Sequence, residues 1–69
     1  MKNVTRIREI IDERGITIED LADVLNINKR TIRNYYYGTR VPGKVVALNM
    51  AKILDVELNY LMNKEQEED

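Results

Sequence analysis

TIEDLADVLNINKRTIRNYYY, residues 17–37, is the stretch that decides the fold. Ile18, Leu21, Ala22 and Leu25 recur at helical spacing and make one apolar stripe. Thr17 stands in front of that stripe as an N-cap, and Asp20 three residues on resembles a capping box with Asp in place of Glu. Asn26 can take the left-handed conformation that ends a helix, and Asn28 is a good N-cap for the next. Only Ile27 lies between them. Two short helices joined by so tight a turn, with an apolar residue to pin its middle, make a helix-turn-helix unit.

The second helix of the unit is expected to run from Lys29 to Tyr36 or Tyr37, before Gly38. At roughly 100° per residue, Lys29, Arg30, Arg33, Asn34 and Tyr37 share one arc. Ile32 and Tyr35 point the other way, with Tyr36 at the edge of the inward side. The outward arc is therefore built of cations, an amide and a phenol, which are side chains that hydrogen-bond phosphates and base edges. A merely solvated face usually mixes charge signs, and this one holds no acid.

Working outward, Val4, Ile7, Ile10 and Ile11 predict a first helix over about residues 4–14, closed by Gly15. Thr39-Arg40-Val41-Pro42-Gly43 reads as a loop. A fourth helix follows from about Lys44 to Leu54, with Ala47, Met50, Ala51 and Leu54 as its core stripe. Val45, Val46, Leu48 and Ile53 lie outside that stripe, which is more apolar surface than one core face uses. Residues 58–63 read as a short fifth helix with Leu58, Leu61 and Met62 apolar. The domain is expected over residues 1–62, its helix-turn-helix at about 17–37, with an acidic solvated tail at 63–69.

Composition narrows the function. The chain has 69 residues, enough for one small domain, and no Cys or His, so zinc sites, disulfides and His-based catalysis are set aside. Ser is absent as well, and no paired catalytic site is visible, so an enzyme is not expected. Glu19, Asp20 and Asp23 resemble a carboxylate cluster but read better as acids placed at a helix start. No cofactor, metal or membrane partner is expected, and the likeness to an intracellular chain points to the cytoplasm. The net charge of −1 hides a strong segregation: residues 24–54 carry six cations and no acid, and residues 63–69 carry four acids and one Lys. A nucleic-acid footprint is a local stripe of charge, so the bulk value misleads.

With these pieces in order, the chain resembles the Cro/lambda-repressor (Xre-type) helix-turn-helix family over about residues 4–62. The resemblance rests on IREIIDERGITIEDLADVL (7–25), NINKRTIRNYYYGTRVP (26–42) and ALNMAKILDVELNYLM (47–62). Family members share an opening helix ending in R-G, a Thr-capped helix with L-A at its middle, and a second helix with T-I inside. They close with A-x-x-L-x-V-x-L-x-x-L. The resemblance implies an all-α, compact five-helix bundle whose third helix enters the DNA major groove while the second lies across the backbone. Lys29, Arg30 and Asn34 match the family's main base-reading positions, and Arg33 a variable one. Thr17, Asn28, Tyr37, Thr39, Arg40 and Lys44 match or adjoin positions that ride on phosphate. Three positions depart from the pattern. Ile18 replaces a Gln that bridges phosphate and the reading helix, Tyr36-Tyr37 replaces E-N, and Asp55 and Glu57 replace a Gly and a small N-cap.

The expected function is a DNA-binding transcriptional regulator, a Cro-like or minimal repressor of phage, prophage or plasmid type. Its expected partner is a pseudo-palindromic operator in double-stranded DNA, bound by a homodimer that sets two reading helices roughly 34–36 Å apart. Val46, Leu48, Ile53, Val56 and Leu58 are the candidate dimer surface, with Tyr60 and Met62 extending it. The alternative is a protein-interaction module of antirepressor or antitoxin-like type. That module would use Ile18, the Tyr35-Tyr36-Tyr37 run and the apolar surplus of helix four. No motif names an inducer or a protein antagonist.

Overall fold

The apolar spacing produces five helices in the order α1 (Ile7–Arg14), α2 (Ile18–Leu25), α3 (Lys29–Tyr37), α4 (Lys44–Leu54) and α5 (Leu58–Met62). The structure, a computed structural model, describes residues 5–62. Val4 and the acidic segment 63–69 lie outside the described residues. Among the described residues there is no strand, and no helix is long and apolar enough to cross a membrane.

The core draws on every helix. Ile7, Ile10 and Ile11 of α1, Leu21 and Ala22 of α2, Ile32 and Tyr35 of α3, Met50, Ala51 and Leu54 of α4, and Leu61 of α5 form one buried cluster. Ala47 of α4 is buried as well. Each fully buried Ile or Leu contributes about 1.5–3 kcal/mol relative to an exposed one, so this cluster holds the bundle together. α3 packs against both α2 and α1, while α4 packs against α5. Each helix therefore turns buried members of its apolar stripe inward, while Leu58 of the fifth stripe stays half-buried.

α1 begins at Ile7, later than the spacing from Val4 suggests. Arg6 leaves the helical conformation (φ −97°, ψ 13°). Its backbone N–H is donated to the Leu61 carbonyl of α5 at 2.8 Å, and the Thr5 hydroxyl accepts from the Ile7 N–H at 3.3 Å. The chain entering α1 is thus docked on α5. The Arg6 side chain follows it inward: the residue is 5% exposed, its guanidinium donates to the Tyr60 carbonyl, and it lies 4.1 Å from the centre of the Tyr60 ring. Arg14 likewise donates to the Leu54 carbonyl, at the end of α4. Both cations meet carbonyls near helix C-termini, where positive charge suits the helix dipole. Two members of the chain's basic set are therefore used inside the fold.

Three of the four connections are three residues long and are built alike. α1, α2, α3 and α4 end on left-handed Gly15, Asn26, Gly38 and Asp55, with φ of 67°, 57°, 81° and 58°. In each, the left-handed residue donates three residues back, and its successor donates five back, as Val56 does to Ala51 at 3.0 Å. The successors Ile16, Ile27 and Val56 pack on the core. At the end of α3 the successor is Thr39, which is exposed. Asp55 keeps the same turn that a Gly would make, since Asp tolerates the left-handed region better than most residues.

Candidate nucleic-acid interface

Two buried residues set the rotation of α3. Ile32 is fully buried and Tyr35 nearly so. Asn28 fixes the start of the helix, its Oδ1 accepting from the Arg30 N–H at 2.8 Å. With the helix so oriented, Lys29, Arg30, Arg33 and Tyr37 are exposed and Asn34 is half-buried. Among the described residues the side chains of Arg30 and Arg33 form no ion pair or hydrogen bond. The first turn of α3 contains Lys29 and Arg30 and no acid, whereas that of α2 contains Glu19 and Asp20. The positive end of the helix dipole disfavours cations there, so the arrangement costs stability unless an anion approaches. Departures from a local rule of this kind are common at functional or strained positions.

One correction concerns the charge of that face. The acid-free stretch of sequence acquires an acid from α2: Glu19 Oε2 lies 3.2 Å from Lys29 Nζ, with the two side chains 72% and 54% exposed. A second detail concerns Asn34. The Thr39 hydroxyl lies 3.2 Å from both the backbone carbonyl and the Oδ1 of Asn34. The contact fixes the Oδ1 end of the amide beside Thr39. The Oδ1 atom keeps a second lone pair, so the contact with Thr39 leaves the amide able both to accept and to donate.

The tyrosines part company. Tyr35 is in the core, and Tyr37 is exposed at the end of α3. Tyr36, half-buried between them, donates its hydroxyl to Asp12 Oδ1 at 2.8 Å. Its ring meets that of Tyr37 edge-on at 4.9 Å. Arg8 lies over both rings, 5.1 Å from the centre of Tyr36 and 5.9 Å from that of Tyr37, and 3.8 Å from Asp12. The hydrogen bond to Asp12 raises the Tyr36 phenol above its ordinary pKa, and partial burial and the negative charge of Asp12 add to it. Arg8 opposes them. The cluster joins α1 to the last turn of α3.

The remaining candidate phosphate contacts lie around α3. The Thr17 hydroxyl accepts from the Asp20 N–H at 3.0 Å, which leaves its own hydrogen to donate outward. Ile18 packs half-buried against the core. Arg40 is exposed in the loop, and Lys44 is exposed as the first residue of α4, whose N-cap Gly43 offers no side-chain bond.

The five candidate dimer residues divide. Val46 and Val56 pack partly against the chain's own core. Leu48 and Ile53 are 43% and 44% exposed. Leu58 is half-buried and, with Leu48, Lys52, Asp55, Val56 and Glu57, lines a shallow groove between α4 and α5. Val45, 72% exposed at the start of α4, belongs to the apolar surplus of that helix but not to the candidate dimer set. Glu19, Asp12 and Arg8 were missed as well. Asp12 and Tyr36 are 24 residues apart, so their pairing follows from how α1 crosses α3 and has no local signal. The Glu19–Lys29 pair has none either: the tight turn adjoins the end of α2, and Glu19 of the first turn meets Lys29 through the way the two helices cross.

A helix-turn-helix family model matches residues 7–61. The uncharacterized HTH-type transcriptional regulator YqaE of Bacillus subtilis (strain 168) is 34% identical over 56 residues, which are 81% of this chain and 48% of YqaE. The chain thus spans about half the length of that curated relative. Among solved structures, a candidate DNA-binding protein from Bacteroides fragilis superposes with a TM-score of 0.81 at 23% identity, covering 87% of this chain and 97% of that one. That likeness is one of fold.

Proposed function

This chain belongs to the helix-turn-helix family of the Cro/lambda-repressor type, and from that premise we propose that it is a sequence-specific double-stranded DNA-binding transcriptional regulator. It acts as a Cro-like or minimal repressor, with α3 in the major groove. The observation that carries this reading is the exposed face of α3, where Arg30 and Arg33 have no ion-pair partner among the described residues and the first turn holds no acid. Arg30, Lys29, Arg33 and Asn34 meet base edges. Thr17, Asn28, Tyr37, Thr39, Arg40 and Lys44 meet phosphates and fix register. The interaction-module alternative keeps only Tyr37 of its tyrosine run fully exposed, because Tyr35 is buried and Tyr36 is half-buried and bonded to Asp12.

The protein binds as a two-fold dimer through the α4–α5 groove. Lys52 lines the same groove as Asp55 and Glu57, beside the apolar Leu48 and Leu58. A patch holding both charge signs is self-complementary, as an isologous contact requires. Selection of bound duplexes from a random library tests the reading. Enrichment of a pseudo-palindromic site supports it, and recovery of unenriched sequence rejects specific binding.

A further inference from the structure

Lys29 differs from the other cations on the exposed face of α3 in being held by an acid. Its Nζ lies 3.2 Å from Oε2 of Glu19, which sits in the first turn of α2. Asp23, one turn further along α2, lines the same shallow groove with Glu19, Ala22, Ile27 and Lys29. Both members of the pair are largely exposed, so the pair adds little to stability. Its weight falls on binding. A lysine ammonium is a mobile point charge that any phosphate oxygen satisfies, so a free Lys29 would strengthen attachment to every duplex alike. A carboxylate beside it competes for the ammonium and repels an approaching phosphate.

We propose that Glu19 is a specificity-determining residue, an inference that rests on α3 being the DNA-reading helix. Glu19 withholds Lys29 from the backbone. Lys29 is released only where a base edge offers replacement acceptors, as O6 and N7 of guanine do. The pair thus weakens binding to arbitrary sequence more than binding to the operator.

Anisotropy titrations over a salt series test this, using the selected duplex and a random-sequence duplex. The proteins are wild type, Glu19→Gln, Lys29→Gln, the double variant, and Glu13→Gln as the same charge change on α1. Glu19→Gln is expected to bind the random duplex about two- to fivefold more tightly, as loss of an exposed pair allows, and the selected duplex with a smaller change. Its salt slope on random DNA steepens by about one unit. The effect vanishes in the Lys29→Gln background and is absent in Glu13→Gln. Equal tightening on both duplexes, or the same shift without Lys29, overturns the proposal and leaves Glu19 an ordinary repulsive charge. Loss of affinity for the selected duplex alone also overturns it and makes Glu19 a base contact. Absence of salt-dependent binding by the wild type removes the DNA reading itself, and this inference with it.

Discussion

The Tyr36 hydroxyl donates to Asp12 across 2.8 Å and so ties the last turn of α3 to α1. The bond needs the phenol protonated, and it raises the folded-state pKa above the unfolded one. Its contribution is therefore fully present below the ordinary tyrosine value of about 10 and is lost as pH climbs through the raised value. Tyr36→Phe is expected to melt below the wild type at neutral pH, with the gap closing in strongly alkaline buffer. Paired thermal melts across pH measure it, and a gap that stays constant to high pH contradicts the assignment.

Arg30→Ala is expected to cost about 1–3 kcal/mol at the selected site and to relax base preference there. Asn34→Ala is expected to relax preference at a neighbouring position. Binding titrations against single-base variants of the site check both. Intact affinity and preference in both variants would place the reading face elsewhere.

Arg40→Gln and Lys44→Gln should each weaken all duplexes alike and lower the salt slope by about one unit. The measurement is affinity against salt concentration for selected and random DNA. A changed base preference at constant slope would move either residue from phosphate to base.

Leu48 is 43% exposed, so Leu48→Asp is expected to keep the fold while placing a charge in the α4–α5 groove. Sedimentation of the DNA complex should give two protomers per site for the wild type and a loss of paired occupancy for the variant. One protomer at saturation on a non-symmetric wild-type site would remove the dimer.

Asp55 pairs a left-handed backbone (φ 58°) with an acid at a helix C-terminus, and both are unfavourable. Asp55→Gly is expected to stabilise the fold by roughly 0.5–1 kcal/mol, read as a rise in denaturant midpoint. An unchanged or lower midpoint would show that the Asp55 side chain gives back what its backbone costs.

The fold was legible because its determinants are local. Ile7, Ile10 and Ile11, or Leu21, Ala22 and Leu25, announce their shared face by spacing alone, and Gly15, Asn26 and Gly38 announce where the helices stop. The outward arc of α3 followed from the inward one, since Ile32 and Tyr35 leave a helix only one way to turn. What escaped was contact between elements. A sequence lists Arg6 and Arg14 as cations, and only the crossing of α1 with α4 and α5 shows them spent on the Tyr60 and Leu54 carbonyls. The same holds for Glu19 at Lys29 and for Asp12 at Tyr36. Long side chains find partners according to helix geometry, and separation along the chain says little about it.

The corners of the bundle have a consequence for how such a chain can change. Between α1 and α2, α2 and α3, and α4 and α5, three residues supply a left-handed stop, a core-packed residue and the entry to the next helix. Inserting one residue there would displace the anchor and swing the following helix about its axis. The connection from Gly38 to Gly43 has six residues and an exposed Thr39 where the others have an anchor. Lengthening is tolerated best in such exposed segments. Natural variation in length should therefore collect at this one joint, beside the helix proposed to read DNA, and leave the other three corners invariant in length.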